Sequence, residues 1–297
     1  DSQGHHSVPP SHVRADPDHR GRLYVSPTGN DANDGSSPGS AVRTIERARE
    51  LLEDDTTILI QRGATYDLDS ALHIEASNVH VTAYGSGPRP VLRWTNNSID
   101  YAGMITMWWW ARDVVIENLE FDSSQPLSQT SVRGTHPHGN NISVINCRFD
   151  TVSCAMNTEF GVNGFLAQDN EAGMIGAYFI WAIGRDHTYL GNHAGNSANE
   201  HTIRLGNASR VLIAHNDLRN TIKSTVWAML GKWCYVANNT LRDGRVIVGP
   251  NFAQGWAGDR FRNFVAESNE VLDEGFVIYP GAEHLTLRNN VIRADGQ

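Results

Sequence analysis

Short apolar stretches, each closed by a polar bend and one further apolar residue, recur along most of this chain. Aligned on their ends they read FLAQDNEA, TYLGNHA, VLIAHNDL, YVANNTL, FVAESNEV and LTLRNNVI. The last Asn of each falls at Asn170, Asn192, Asn216, Asn239, Asn269 and Asn290, in steps of 22, 24, 23, 30 and 21. VVIENLEF and ISVINCRF fit the same frame, with Leu119 and Cys147 in that slot. A period of about 22–24 residues is too short for two helices and suits three short strands joined by three turns, one coil of a parallel β-helix. Stacked about 4.8 Å apart, equivalent asparagines can donate to and accept from their neighbours as a ladder. Asn also tolerates the left-handed backbone of a tight bend.

The start of the chain has a different pattern. Leu23–Val25 reads as a strand, and SPTGNDANDGSSPGS as a turn-rich loop. Ala41–Glu53 (AVRTIERARELLE) then spaces Val42, Ile45, Ala48, Leu51 and Leu52 at helical steps. Thr57–Ile60 and Leu72–Ala76 are strands, and no helical pattern follows. The reading is all-β: a single-stranded right-handed parallel β-helix over 22–297 with an N-terminal capping α-helix, preceded by a polar leader over 1–21. The 30-residue step holds an insertion, Phe252–Arg260, and Pro126–His138 is a second loop. Insertions in solenoids emerge on one face, often the binding face. The last segment shows no capping element, so the solenoid is expected to continue or to be covered by another molecule.

Of the 297 residues 40% are hydrophobic and 19% charged, which excludes gross disorder. The net charge of −9 argues against nonspecific nucleic-acid binding, and no apolar run approaches the roughly 20 residues that span a membrane. Cys147, Cys154 and Cys234 form no metal-binding spacing and are expected to be buried and free.

LYVSPTGNDANDGSSPGSAVRTIERA followed by ILIQRGATYDLDSALHI resembles the entry into secreted pectate-lyase-like β-helix proteins. That resemblance implies a secreted, carbohydrate-active protein with a polysaccharide partner. It leaves the oligomeric state open.

Counting back from the asparagines compares equivalent positions. Even offsets place Glu200, Thr202 and Arg204 beside Lys223, Thr225 and Trp227 on the solvent face, with Tyr178 one coil earlier and Arg245 one coil later. Odd offsets carry Phe179, Trp181, Ile203, Leu205, Val226 and Ala228, assigned to the core. Cations with an aromatic platform suit a uronic-acid polysaccharide cleaved by β-elimination. Lys223, flanked by cations that favour its neutral form, is the candidate base. Arg204 or Arg245 stabilises the enolate-like charge, and His201 is a second base. Tyr178 and Trp227 stack on sugar, with Glu200, Thr202 and Thr225 lining the strip.

Lys223 and Arg245 on adjacent coils resemble the catalytic pair of the chondroitinase B and alginate lyase family. That family also implies calcium, for which Glu200 is the one ligand candidate, because no Glu-x-Glu stands nearby. A plainer reading makes Glu200–Lys223 a cross-strand ion pair and Arg204–Trp227 a cation–π contact. Asp186–His187 is read as structural. Alternatives on the same fold are a glycoside hydrolase, a C5-epimerase and a non-catalytic carbohydrate-binding adhesin.

Overall fold

A computed structural model describes residues 21–96, 103–108, 110–123, 130–134, 140–195, 197–220, 222–250 and 260–293. The leader (except Gly21), most of both proposed loops and the terminal 294–297 lie outside the described residues.

The chain is a parallel β-helix, as its period predicts. Each coil supplies a strand to each of three sheets. The first runs from Leu72–Ile74 to Phe276–Ile278, the second from Gly21–Val25 to Ala282–Arg288, and the third holds ten short strands from Thr65–Leu68 to Val291–Arg293. All pairings between coils are parallel. In the coils of Tyr178–Leu190 and Ile203–Ala214 one strand runs unbroken from the first sheet into the second.

The six asparagines stack on one another at the bend between the second and third sheets. Asn170 Nδ2 donates to Asn192 Oδ1 at 2.9 Å, Asn192 to Asn216 at 2.8 Å, and Asn216 to Asn239 at 2.9 Å. Asn239 and Asn269 continue the run, and each Oδ1 also accepts a backbone N–H from the coil before. Cys147, one coil earlier, joins through its backbone N–H to Asn170 Oδ1. The left-handed bend falls one residue before the column. Asn118, Asn146, Asp169, His215, Asn238, Ser268 and Asn289 have φ between 48 and 61°, and Gly191 has 65°. The column asparagines therefore act through their amides, and their neighbours make the bend.

The core is a continuous apolar stack. Phe121 and Phe149 are parallel at 5.1 Å, and Phe149 meets Phe179 edge-on at 6.4 Å. The three cysteines are free and buried, and burial pushes the Cys147 thiol up to about 12, which leaves it inert at neutral pH.

The capping helix is shorter than expected, Ile45–Glu50, with Thr44 as its N-cap. Ala41 and Val42 are extended instead. Val42 N–H bonds to Tyr24 O at 2.9 Å and Val42 O accepts from Ser26, so the sheet claims residues whose spacing also fits a helix. Ile45 and Ala48 cover the first coil. At the other end Ile278, Leu287 and Ile292 are 42, 44 and 55% exposed, whereas Val248, Ala266 and Val271 one coil earlier are fully buried.

Candidate functional site

The first sheet separates the predicted strip into two groups. Trp181, Arg204, Trp227 and Ile247 are directly paired in register and share its outward column. Trp181 was expected in the core; it lines the outer face, and Ile180 beside it is fully buried. The coil of Arg204 carries an additional residue, Gly206, where the register shifts between Ala182 and Ile183. Counting back from Asn192 is therefore one residue out for the preceding strand. A Cβ at Gly206 would stand 3.1 Å from Trp181 Nε1, a tight contact that the glycine avoids where the indole lies across the bulge.

Arg204 is the centre of the first group. Its guanidinium carbon lies 4.9 Å from the Trp227 ring and 5.8 Å from the Tyr178 ring. Nη1 donates to Tyr178 Oη at 2.8 Å, and Nη2 reaches only Met229 Sδ, a weak acceptor, at 3.5 Å. Among the described residues no carboxylate pairs with it. Trp227 is buried, with Nε1 donating to Gly249 O at 3.1 Å, so it serves as a base plate for Arg204 and is not an open sugar platform. Tyr178 is also largely covered. Burial pushes its phenol up, against the downward pull of Arg204.

The second group is an ion-paired edge where the third sheet turns into the first. Asn220, fully buried, accepts the backbone N–H groups of Ile222 and Lys223 and donates to Glu200 O, which builds that turn. Lys223 Nζ sits 2.8 Å from Glu200 Oε2, and Arg245 Nε 2.5 Å from Glu274 Oε2. Lys223 is thus a paired ammonium at the far end of the strand from the Arg204 column, and Arg245 is register-paired with Ser224. The two cations expected as base and partner stand in separate ion pairs one coil apart. Both pairs are substantially exposed and add little stability. Thr202 and Thr225 are buried and donate to the carbonyls of Arg219 and Arg245, which corrects their assignment to the solvent face. Glu200, engaged by Lys223, does not by itself make the oxygen-rich cage that calcium requires. Among the described residues no group of three His, Cys, Asp or Glu stands ready for a metal.

His201 is buried against Trp227, with ring centroids 4.7 Å apart, and its Nδ1 contacts Ser224 Oγ. Burial, then Lys223, Arg204 and Arg245, hold it down to about 3. It is a neutral structural residue and a poor base. His187, bonded through Nδ1 to Tyr189 Oη at 2.9 Å, is held down to about 4 by burial. Asp186 pairs with Arg210, so this dipeptide is structural. Both imidazoles are depressed below their ordinary 6.5, so between 6.5 and their folded values the unfolded chain binds more protons. Stability should be level above pH 6.5 and fall steadily toward pH 4, by an order of several kcal/mol for the two together. Urea denaturation from pH 8 to 4 measures this, with a shallower slope expected for His201→Asn. A pH-independent midpoint down to pH 5 would contradict it.

Beside Arg204 a groove of about 560 Å³ opens over the turn from the first sheet to the second. Trp181, the exposed Phe160, Lys232, Arg260 and Arg262 line it with Arg204, and no acid among the described residues does. Arg260 and Arg262 share the single carboxylate of Glu283. Arg204 and Lys232 have no carboxylate partner among the described residues. A chain of net charge −9 therefore presents, among its described residues, a locally cationic groove next to aromatic rings.

Lys232 escaped sequence reasoning, although the same frame contained it. Seven residues before each asparagine lie Asn163, Arg185, Ser209, Lys232, Arg262 and Glu283, one register column of the second sheet. The expected strip was drawn on the first sheet alone.

No protein-family model matches the sequence, and no curated protein matches it. Solved structures do match in fold. An alginate lyase from Paenibacillus sp. has a TM-score of 0.62 at 12% identity, covering 84% of this chain and 97% of its own. A rhamnogalacturonan lyase has 0.59 at 12%, covering 92% and 87%. A GH136 lacto-N-biosidase from Eubacterium ramulus has 0.56 at 14%, covering 92% and 68%. The chain shares the parallel β-helix fold of these structures, and no helix among the described residues is long and apolar enough to cross a membrane.

Proposed function

We propose that this protein acts on a uronic-acid-containing polysaccharide and cleaves it by β-elimination. The observation that carries the reading is that Arg204 and Lys232, neither with a carboxylate partner among the described residues, line one aromatic groove together with no acid among those residues. An anionic sugar is the ligand such a groove favours, because fixed cations attract a carboxylate, repel cationic ligands and gain no net charge–charge attraction with neutral ones.

In this reading Arg204 neutralises the uronate carboxylate, which makes the C5 proton acidic, and bears the charge of the enolate-like intermediate. The Lys232 amine takes the C5 proton. The C4–O bond breaks, a C4=C5 double bond forms, and the departing oxygen recovers a proton from the ammonium just made. Trp181 stacks against a sugar ring.

The test is incubation with alginate, glycosaminoglycan, pectin and glucuronan while following the ultraviolet absorbance of the new double bond. Absorbance is expected on at least one polymer, and Lys232→Ala should lower its rate about a hundredfold or more. New reducing ends without absorbance would replace elimination by hydrolysis. A changed C5 configuration without scission would identify an epimerase. Binding with neither product would identify a carbohydrate-binding protein.

A further inference from the structure

One residue beyond Lys232 the backbone does something that its side chain disfavours. Trp233 has φ 62°, in the left-handed region where a bulky side chain is an outlier. The same bend recurs at the equivalent described positions of the second sheet. Elsewhere it is occupied mainly by Asp, Asn or Gly, which tolerate it: Asp55 at 59°, Asn78 and Asp113 at 56°, Asn141 at 55°, Gly164 at 72°, Asp186 at 61° and Asn263 at 60°, with Arg210 at 56° and His284 at 57° the other exceptions. The indole gains only partial burial there, since Trp233 is 55% exposed. A tryptophan held in a disfavoured conformation with its ring open to solvent is not explained by stability.

Its surroundings suggest a ligand. Lys232 lines the cationic groove and lacks a carboxylate partner among the described residues. Two residues on, Tyr235 is exposed and donates from Oη to Glu267 Oε2 at 2.5 Å, while Arg288 holds the same carboxylate at 2.7 Å. An open indole, an open phenol ring and a network of hydrogen-bonding groups thus follow the groove onto the second sheet. Apolar ring faces flanked by polar groups match the alternating CH and OH faces of a pyranose.

We infer that Trp233 and Tyr235 form a secondary subsite that binds a sugar of the same acidic polysaccharide after it leaves the Arg204–Lys232 groove. This deepens the proposed function and rests on it. Trp233 is a binding residue here and not a catalytic one: the left-handed bend turns its ring outward beside Lys232, where an extended chain would pass.

Trp233→Asn separates the two roles, because Asn is the residue that other coils use at this bend. Binding to alginate and polygalacturonate, measured by calorimetry, should weaken about tenfold, which corresponds to about 1.4 kcal/mol. The melting temperature should hold or rise by about 2 °C. Trp233→Phe should keep most of the affinity. The Trp233 contribution should also persist at high salt, unlike that of Lys232. Unchanged affinity in Trp233→Asn, or a clear drop in its melting temperature, overturns the subsite while leaving the groove reading intact. Failure of the wild-type protein to bind any acidic polymer overturns both.

Discussion

Arg204→Ala should reduce cleavage of an acidic polysaccharide by about 10²–10³-fold while leaving a folded β-helix. The guanidinium is fixed by Trp227 below and Tyr178 Oη beside it, and its remaining edge meets only a methionine sulfur. Removing it takes away the positive charge on which the carboxylate would be neutralised, and no paired cation of the ion-paired edge can replace it. Arg204→Lys should recover little, because an ammonium cannot stack on the indole and reach Tyr178 in one geometry. The check is the rate at saturating polymer alongside a thermal melt. A rate within tenfold of wild type would remove Arg204 from the chemistry. By the same measurement Lys223→Ala should stay within a few-fold of wild type, since Lys223 is occupied by Glu200.

The largest effect on stability should come from the asparagine column. Asn216 Oδ1 accepts from Asn192 N at 2.9 Å and Asn192 Nδ2 at 2.8 Å, and its own amide donates to Tyr189 O and Asn239 Oδ1. All three asparagines are almost completely buried, so water does not replace a lost partner. Asn216→Leu matches the volume but strands the Asn192 N–H and backbone oxygens, at a cost of about 2–5 kcal/mol. Asn290→Leu, at the half-exposed end of the column, should cost about 1 kcal/mol or less. Equilibrium urea denaturation of the two variants measures this contrast. Equal losses at the two positions would mean that burial of the column is irrelevant to its energetics.

Much of the fold was readable because one chemical requirement recurs once per coil. An amide that must meet its equivalent in the next coil leaves a mark at a fixed period, and Asn170 to Asn290 carry that mark. The capping helix was read too long because Ala41 and Val42 satisfy helical spacing and strand pairing alike, and only contact with Tyr24 and Ser26 decides between them. The site was less readable for two physical reasons. First, the bulge at Gly206 adds a residue without changing the polar pattern, so Trp181 moved from its assigned core position to the groove. Second, the identity of a cation says nothing about whether it is already paired. Lys223 and Lys232 are alike in sequence, yet one is held by Glu200 while the other lines the groove with no carboxylate partner among the described residues. The Glu200–Lys223 ion pair and the Arg204–Trp227 contact were both considered as plain surface packing. The first is that, whereas the second also orients the groove's central cation.

The most direct measurement is the crystal structure of the Lys232→Ala variant with an acidic oligosaccharide bound. A uronate carboxylate within hydrogen-bonding distance of the Arg204 guanidinium, with its C5 facing the position vacated by Lys232, is the predicted result. An oligosaccharide lying instead along the Glu200–Lys223 and Arg245–Glu274 edge, with the Arg204 groove empty, would contradict it.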